Sequence, residues 1–179
     1  MPEFNVPHLE SEDFQSLLLG QLAHDSRYHR DIQGLALGPR LQHLALHFAK
    51  YVGRIAESGR TSIQPMPLPT LIDCLIISLS ACNALGIDSR AIFGAANRPS
   101  HRPSNVSQLA LELAVPVGRL AKVCEALDHL EELPYASQMR QTVAQIVRVL
   151  LVSWPELYTA TICSDVRARW LEIESARIV

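Results

Sequence analysis

Two histidines, His43 and His47, stand one helical turn apart, and such a pair can hold a metal ion from one face of a helix. A metal site of this kind needs a third ligand, and no nearby residue is a clear candidate. Histidines at this spacing are more often exposed or capping residues of an ordinary helix. We therefore interpret the pair in that way and expect no metal-ligating residues in this chain.

A second candidate is the dipeptide His24-Asp25, which is similar to the paired metal ligands of the helical HD-type phosphohydrolases. Those enzymes need a further histidine upstream and an aspartate downstream, each on another helix. Only His8 lies upstream here, within a predicted N-terminal tail. The sequence also lacks a nucleophile elbow, a phosphate-binding glycine loop and a dinucleotide fingerprint. No catalytic residue is assigned from these motifs.

A third group consists of charged residues. Lys50 and Arg54 are four residues apart, so they share one face of a helix. They can pair with Asp73 in a salt-bridge cluster, or one cation can stay available for a phosphate or carboxylate. Asn97 and Arg98 begin a predicted mobile loop that could close over such a ligand. The candidate ligand-binding residues are therefore Lys50, Arg54, Asp73, Asn97 and Arg98.

The segment from Leu41 to Arg98 resembles the MazG-type all-helical nucleotide pyrophosphohydrolases. That family's pattern is EExxE on one helix and ExxD on the next, followed by a leucine-glycine-isoleucine-aspartate turn and a K-x-x-x-N element. The residues that fit the pattern are Gly53, Asp73, Leu75, Ile76, Asn83, Leu85-Gly86-Ile87-Asp88, Ala91 and Asn97-Arg98. The resemblance implies an all-α fold and assembly into a helical homo-oligomer.

Most of the acids that bind magnesium in that family are replaced. The three acids of the first motif fall on Lys50, Tyr51 and Arg54, the glutamate of the second falls on Thr70, and only Asp73 remains. Magnesium is a hard cation that takes oxygen ligands, and two neighbouring cations would repel it. The departures from the pattern therefore predict that this site does not hold the ion.

The resemblance thus implies a catalytically degenerate relative with a binding or regulatory role, a nucleotide or phosphate ligand and no cofactor. A first alternative is an active magnesium-dependent nucleoside triphosphate pyrophosphohydrolase, with magnesium as cofactor and acids supplied by residues such as Glu57, Glu112 or Asp88. A second alternative is a structural oligomerisation module. Magnesium titration by calorimetry separates the degenerate relative from the active enzyme, and thermal shifts with nucleotide in the absence of metal separate the degenerate relative from the structural module.

Apolar residues at three- and four-residue steps predict helices along most of the chain. The third helix is apolar on most sides, so it is expected at the centre of a bundle. Six side chains on the apolar stripes are expected in the core: Leu75, Leu79, Leu113, Leu120, Ile146 and Leu150. Pro116 should kink or break the fourth helix, and Asp88 should cap a short one. The predicted helices are 11–24, 39–59, 69–86, 88–93, 105–133, one carrying Met139 to Leu150, and one carrying Tyr158 to Trp170 that follows a capping box of Ser153 and Glu156.

Part of the sequence repeats. The thirteen residues from Leu44 to Ala56 match those from Leu109 to Ala121 at eight positions, including a Val-Gly-Arg triplet. A glycine inside a helix costs about 1 kcal/mol relative to alanine. Gly53 and Gly118 are therefore expected at equivalent close helix crossings. The interpretation is one all-α domain, 1–179, built from two repeated MazG-like halves of about 39–98 and 105–176.

Composition narrows the class of partners. The net charge is −2 with both signs interspersed, so neither nucleic acid nor a membrane surface is the expected partner. The apolar run from Leu71 to Ile87 contains several polar residues and is interpreted as a buried helix. The four cysteines form no CxxC pair and are interpreted as core thiols of a cytoplasmic protein.

Overall fold

The computed structural model describes residue 9 and residues 11–60, 68–94, 102–154 and 161–177. All regular structure in these ranges is helical, which confirms the predicted all-α bundle. The helices are α1 (Ser11–Tyr28), α2 (Arg30–Gln33), α3 (Leu37–Gly59), α4 (Leu68–Leu85), α5 (Ser89–Phe93), α6 (Val106–Asp128), α7 (Tyr135–Ser153) and α8 (Ile162–Arg177).

Four long helices form the centre of the bundle. Helix α3 packs against α4 and α6, and α7 packs against the same two helices, so the four close into a ring. Helices α3 and α6 run antiparallel, because Gly59 at the end of α3 lies against Ser107 at the start of α6. At the opposite end Gln42 donates a hydrogen bond to Asp128 at 2.6 Å.

Helix α4 is the most apolar element and lies at the centre, as predicted. It contacts α1, α3, α7 and α8, and ten of its eighteen residues are buried. By length and composition α4 could also cross a membrane. Burial of α4 among four other helices is sufficient to account for its apolar composition.

The predicted core is confirmed. The six leucine and isoleucine side chains expected inside are fully buried, with no accessible surface: Leu75, Leu79, Leu113, Leu120, Ile146 and Leu150. Cys74, Cys82 and Cys124 are buried free thiols, which confirms their interpretation as core residues, whereas Cys163 is only half-buried. Burial raises the pKa of the Cys74 and Cys82 thiols to about 12.

The turn from Leu85 to Asp88 joins α4 to α5. Gly86 adopts φ +62°, a left-handed conformation that favours glycine, and Ile87 N–H donates to the Cys82 carbonyl at 2.9 Å. Asp88 caps α5, as predicted, by accepting a hydrogen bond from Ala91 N–H at 3.0 Å. These bonds account for the leucine-glycine-isoleucine-aspartate sequence as a helix stop followed directly by a helix start.

Two predicted helix ends were wrong, and one short helix was not predicted. Helix α1 continues past His24 to Tyr28, and the short α2 lies between the predicted helices 11–24 and 39–59. Helix α6 runs without a break through Pro116 and ends at Asp128, five residues before the predicted end. It stops there because Leu130 turns into the left-handed region at φ 56°. The capping residue Glu156, with Pro155 and Tyr158, lies outside the described residues.

The two glycines of the repeated segment line one groove between α3 and α6. A Cβ atom added at Gly53 or at Gly118 would meet nothing within 4 Å, so the expectation of close helix crossings there is wrong. The close approach between the two helices is instead at Gly59, where an added Cβ would lie 2.7 Å from Ser107 Oγ. The duplication of two halves stays a prediction.

Helices α1 and α8 pack together against one side of α4. Their contact depends on Gly20, because an added Cβ there would lie 2.5 Å from the indole ring of Trp170. The missing side chain thus lets the indole ring of Trp170 approach the backbone of α1 closely. This pair of helices forms one wall of the cleft described next.

Candidate functional site: a polar cleft

A cleft of about 300 Å³ lies where α1, α2, α3, α4 and α8 meet. Its lining is unusually rich in groups that can donate or accept protons, bind anions or ligate metals. These side chains come from all five helices and are Gln21, Asp25, His29, Asp31, Arg40, His43, His47, Tyr51, Asp73, Ser80 and Arg169. The cleft is therefore the place where this chain gathers its chemically capable residues.

The wall formed by α1 contains a buried hydrogen-bond network around Asp25. One carboxylate oxygen accepts from Gln21 Nε2 at 2.8 Å and the other accepts from Ser80 Oγ at 2.6 Å. Trp170 Nε1 in turn donates to Gln21 Oε1 at 2.6 Å. Because both oxygens are engaged, the carboxylate is held in one orientation.

Two histidines lie beside this carboxylate. His24 is buried, and its ring stacks on Trp170 with centroids 6.1 Å apart. His29 occupies the single residue between α1 and α2, where the chain leaves helical geometry at φ −129° and ψ 42°. The ring centroids of the two histidines are 5.6 Å apart. The extension of α1 to Tyr28 is what places both imidazoles next to Asp25.

Another pair of histidines lines the wall formed by α3. The rings of His43 and His47 are 4.7 Å apart, and Lys50 Nζ lies 3.3 Å from His47 Nδ1. Both histidines are half-buried in the cleft, so their interpretation as exposed residues was wrong. Burial, followed by the charges of Lys50, His43 and His29, lowers the pKa of His47 to about 4.

This depressed pKa predicts how stability depends on pH. Between pH 6.5 and about pH 4 the unfolded chain protonates this imidazole while the folded protein does not. The free energy of unfolding should therefore fall as the pH drops through that window. Replacing His47 by Gln should flatten the dependence, measured by urea unfolding at pH 7 and pH 5.

The exposed His129 provides the matched control. His129→Gln should leave the difference between pH 7 and pH 5 as in the wild type. If His47→Gln showed the same pH dependence as the wild type, the His47 imidazole would be protonated as readily in the folded protein as in the unfolded chain.

The retained acid, Asp73, is paired with a residue that the sequence did not single out. Arg169 Nε donates to Asp73 Oδ1 at 2.7 Å, and Arg169 Nη2 donates to Oδ2 at 3.4 Å. Asp73 forms its ion pair with Arg169, so the predicted salt bridge of Asp73 with Lys50 or Arg54 is wrong. Helix α8 supplies the partner because it packs against α4, a contact that no local sequence pattern reveals.

Lys50 and Arg54 lie beside Tyr51 rather than in the cleft lining. Lys50 Nζ is 4.3 Å from the centroid of the Tyr51 ring, and the Arg54 guanidinium is 5.9 Å from it. Burial and then the charge of Asp73 raise the pKa of Tyr51 to about 12. Burial, with the charge of Arg54, lowers the pKa of Lys50. The two cations thus form a positive rim next to Asp73.

The remaining candidate residues are placed as follows. Asn97 and Arg98 lie outside the described residues. Glu57, Glu112 and Asp88, which the active-enzyme alternative requires, do not line the cleft. In the described part of the chain, no group of three metal-ligating side chains includes Asp73.

The cleft contains functional candidates that sequence reasoning missed: Gln21, His29, Arg40, Ser80 and Arg169. One signal was available, since four of the seven histidines fall between positions 24 and 47. The others carry no local signature, because each is a single polar residue on an otherwise ordinary helix. Only the packing of five helices makes them neighbours.

None of the known protein families, curated proteins and solved structures matches this chain. Its resemblance to the MazG-type proteins therefore rests on the residues quoted above. An argument for function has to come from the cleft itself.

Proposed function

We propose that this chain is a MazG-like helical protein that binds a phosphate-bearing small molecule, a nucleotide or inorganic phosphate, in the polar cleft. In this proposal it is a catalytically degenerate relative of the pyrophosphohydrolases and has a binding or regulatory role. The observation that carries the proposal is the state of Asp73. This one retained acid has both carboxylate oxygens bonded to Arg169.

The charges around Asp73 argue against a magnesium site at this position. Magnesium needs several oxygen ligands in near-octahedral geometry. Here the guanidinium of Arg169 already binds the carboxylate of Asp73, and Lys50 and Arg54 lie on α3 beside Tyr51. A divalent cation would have to displace Arg169 and approach two further positive charges.

The same charges favour an anion. Arg40 and Arg169 line the cleft, and a guanidinium can bind phosphate through two parallel hydrogen bonds. Lys50 and Arg54 extend the positive surface toward solvent and attract an anion on approach. The cleft volume of about 300 Å³ is at the lower end of the range for small-molecule sites. A mononucleotide or smaller phosphate compound is the expected class of ligand.

The test compares ligand binding with hydrolysis. Metal-free protein should show a higher melting temperature with ATP or inorganic phosphate, and magnesium should not increase the shift. Pyrophosphate release from nucleoside triphosphates with magnesium should be undetectable, or unchanged by Asp73→Ala. Arg40→Ala should lose most of the ligand-induced shift.

Arg119→Ala, an exposed arginine on α6 outside the cleft, provides the control and should keep the full shift. Robust pyrophosphate release that disappears in Asp73→Ala would overturn the proposal in favour of the active enzyme. If the wild type and Arg40→Ala each had the same melting temperature with and without ligand, the proposed phosphate binding would be wrong.

A second candidate function, structural oligomerisation, is favoured by the groove between α3 and α6. Its walls carry the same residues in the same order, Ala49, Val52 and Gly53 on one helix and Ala114, Val117 and Gly118 on the other. Antiparallel helices with matching faces give an approximately two-fold surface, which suits a second copy of the same chain. Leu46 and Leu111 on these helices are 72% and 70% exposed, so burying them would be favourable.

Replacing both Leu46 and Leu111 by Glu should therefore dissociate a dimer into monomers, because it buries charge in an apolar contact. Sedimentation velocity measures the effect. Leu171→Glu changes a leucine with 64% exposure on α8 and should leave the dimer intact. A wild-type protein that stays monomeric at every concentration contradicts this role.

A further inference from the structure

We infer that His24, Asp25 and His29 form a binding site for a transition-metal ion of the zinc class, with two imidazole nitrogens and one carboxylate oxygen as ligands. One ligand atom from each of the three side chains lies within 4.8 Å of the other two. The inference departs from the expectation that this chain has no metal ligands. It does not rest on the proposed phosphate binding, since it uses different residues of the cleft.

The distances are close to those of a formed site. Tetrahedral zinc with bonds of about 2.0–2.1 Å separates its ligand atoms by about 3.4 Å. Side-chain rotations that shorten these separations by at most about 1.4 Å would bring the three atoms onto one ion. The backbone already holds them together, because the His29 N–H donates to the Asp25 carbonyl at 2.9 Å.

The donor set selects the class of ion. Imidazole suits zinc, cobalt, nickel and copper, whereas magnesium and calcium prefer sites made of oxygen alone. With two imidazoles and one carboxylate, the trio is the kind of site that holds zinc with three protein ligands. None of the four cysteines belongs to this group of ligands, and Cys74, Cys82 and Cys124 are buried elsewhere in the core.

Neighbouring side chains hold the ligands in fixed orientations, as the outer partners of metal ligands do in proteins. Asp25 is fixed by Gln21 and Ser80, and Gln21 is fixed by Trp170. The His24 ring is held against the indole of Trp170. Such outer partners reduce the freedom that the ligands lose on binding.

One side of the trio opens into the cleft. Asp25 and His29 are among the residues that line it, while His24 lies behind them in the protein. A metal bound here would therefore keep a coordination position directed toward the cleft. Asp31, which also lines the cleft, adds a second negative charge that attracts a cation.

Cobalt titration of the chelator-treated full chain tests the site. We expect one equivalent of Co²⁺ to produce the visible absorption of a tetrahedral nitrogen-oxygen complex and Zn²⁺ to displace it. Zinc should also raise the melting temperature. His29→Ala should weaken the affinity for both metals by more than about 100-fold, and Ser80→Ala by about tenfold, as the loss of an outer partner does.

His43→Ala is the matched control, because His43 lies on the opposite wall of the same cleft and outside the trio. It should bind cobalt with wild-type affinity and spectrum. His29 was chosen for the test because it is half-buried, so its replacement is less disruptive to folding than replacement of the buried His24. The inference would be overturned if Co²⁺ produced no visible absorption, or if the absorption were that of a cobalt–thiolate complex. It would also be overturned if His29→Ala bound the metal as tightly as the wild type.

Discussion

Truncation of Leu79 to Ala should lower the free energy of unfolding by roughly 2–5 kcal/mol, the range for large-to-small changes in packed cores. Leu79 has no accessible surface and lies in α4, which four other helices surround. The substitution removes three carbon atoms and leaves a cavity that these helices cannot close without shifting together. Urea unfolding followed by circular dichroism measures the loss.

Leu171→Ala is the matched control, because Leu171 is 64% exposed, lies outside the groove between α3 and α6, and sits in a helix, where alanine is well tolerated. Its unfolding free energy should stay within about 0.5 kcal/mol of the wild type, as for most surface changes. A loss that small for Leu79→Ala would place α4 at the surface and contradict the arrangement of the bundle.

Replacement of Trp170 by Ala should cost about 2–4 kcal/mol, somewhat less than for a fully buried tryptophan. The indole covers Gly20 of α1, stacks on His24 and donates a hydrogen bond to Gln21. Its removal therefore uncovers one wall of the cleft and releases α8 from α1. Circular dichroism gives the stability, and hydrogen exchange should show lost protection concentrated in α8.

Trp170→Phe separates the packing of the ring from the hydrogen bond. Phenylalanine keeps an aromatic ring against Gly20 but cannot donate to Gln21 Oε1. The expected loss is about 0.5–1.5 kcal/mol for the bond, together with a smaller loss for the reduced ring. If Trp170→Ala is as stable as the wild type, α8 does not depend on this contact.

The candidate site shows why charged residues were harder to predict than the core. Lys50 and Arg54 were chosen because they share a helix face, a relation that spacing alone establishes. The partner of Asp73 proved to be Arg169, which lies 96 residues away in sequence. A long, flexible arginine can reach many carboxylates, so its partner depends on how α8 docks against α4.

The histidines show the same effect for a motif that was considered and set aside. His24-Asp25 was rejected because the sequence offered no upstream histidine on another helix. The structure instead supplies His29 from the break between α1 and α2. That break was not predicted because the first helix was expected to end at His24, with no helix before residue 39.

The sequence by itself determined the all-α class, the central position of α4, the buried leucine and isoleucine side chains and the cap at Asp88. Each follows from apolar periodicity or from a hydrogen bond between residues within one turn, and both act over a few residues of chain. Only the tertiary structure decided which polar side chains meet in the cleft. The reason is that Asp25, Asp73, Ser80 and Arg169 come together through helix packing, and packing depends on the shape of whole helix faces rather than on local spacing.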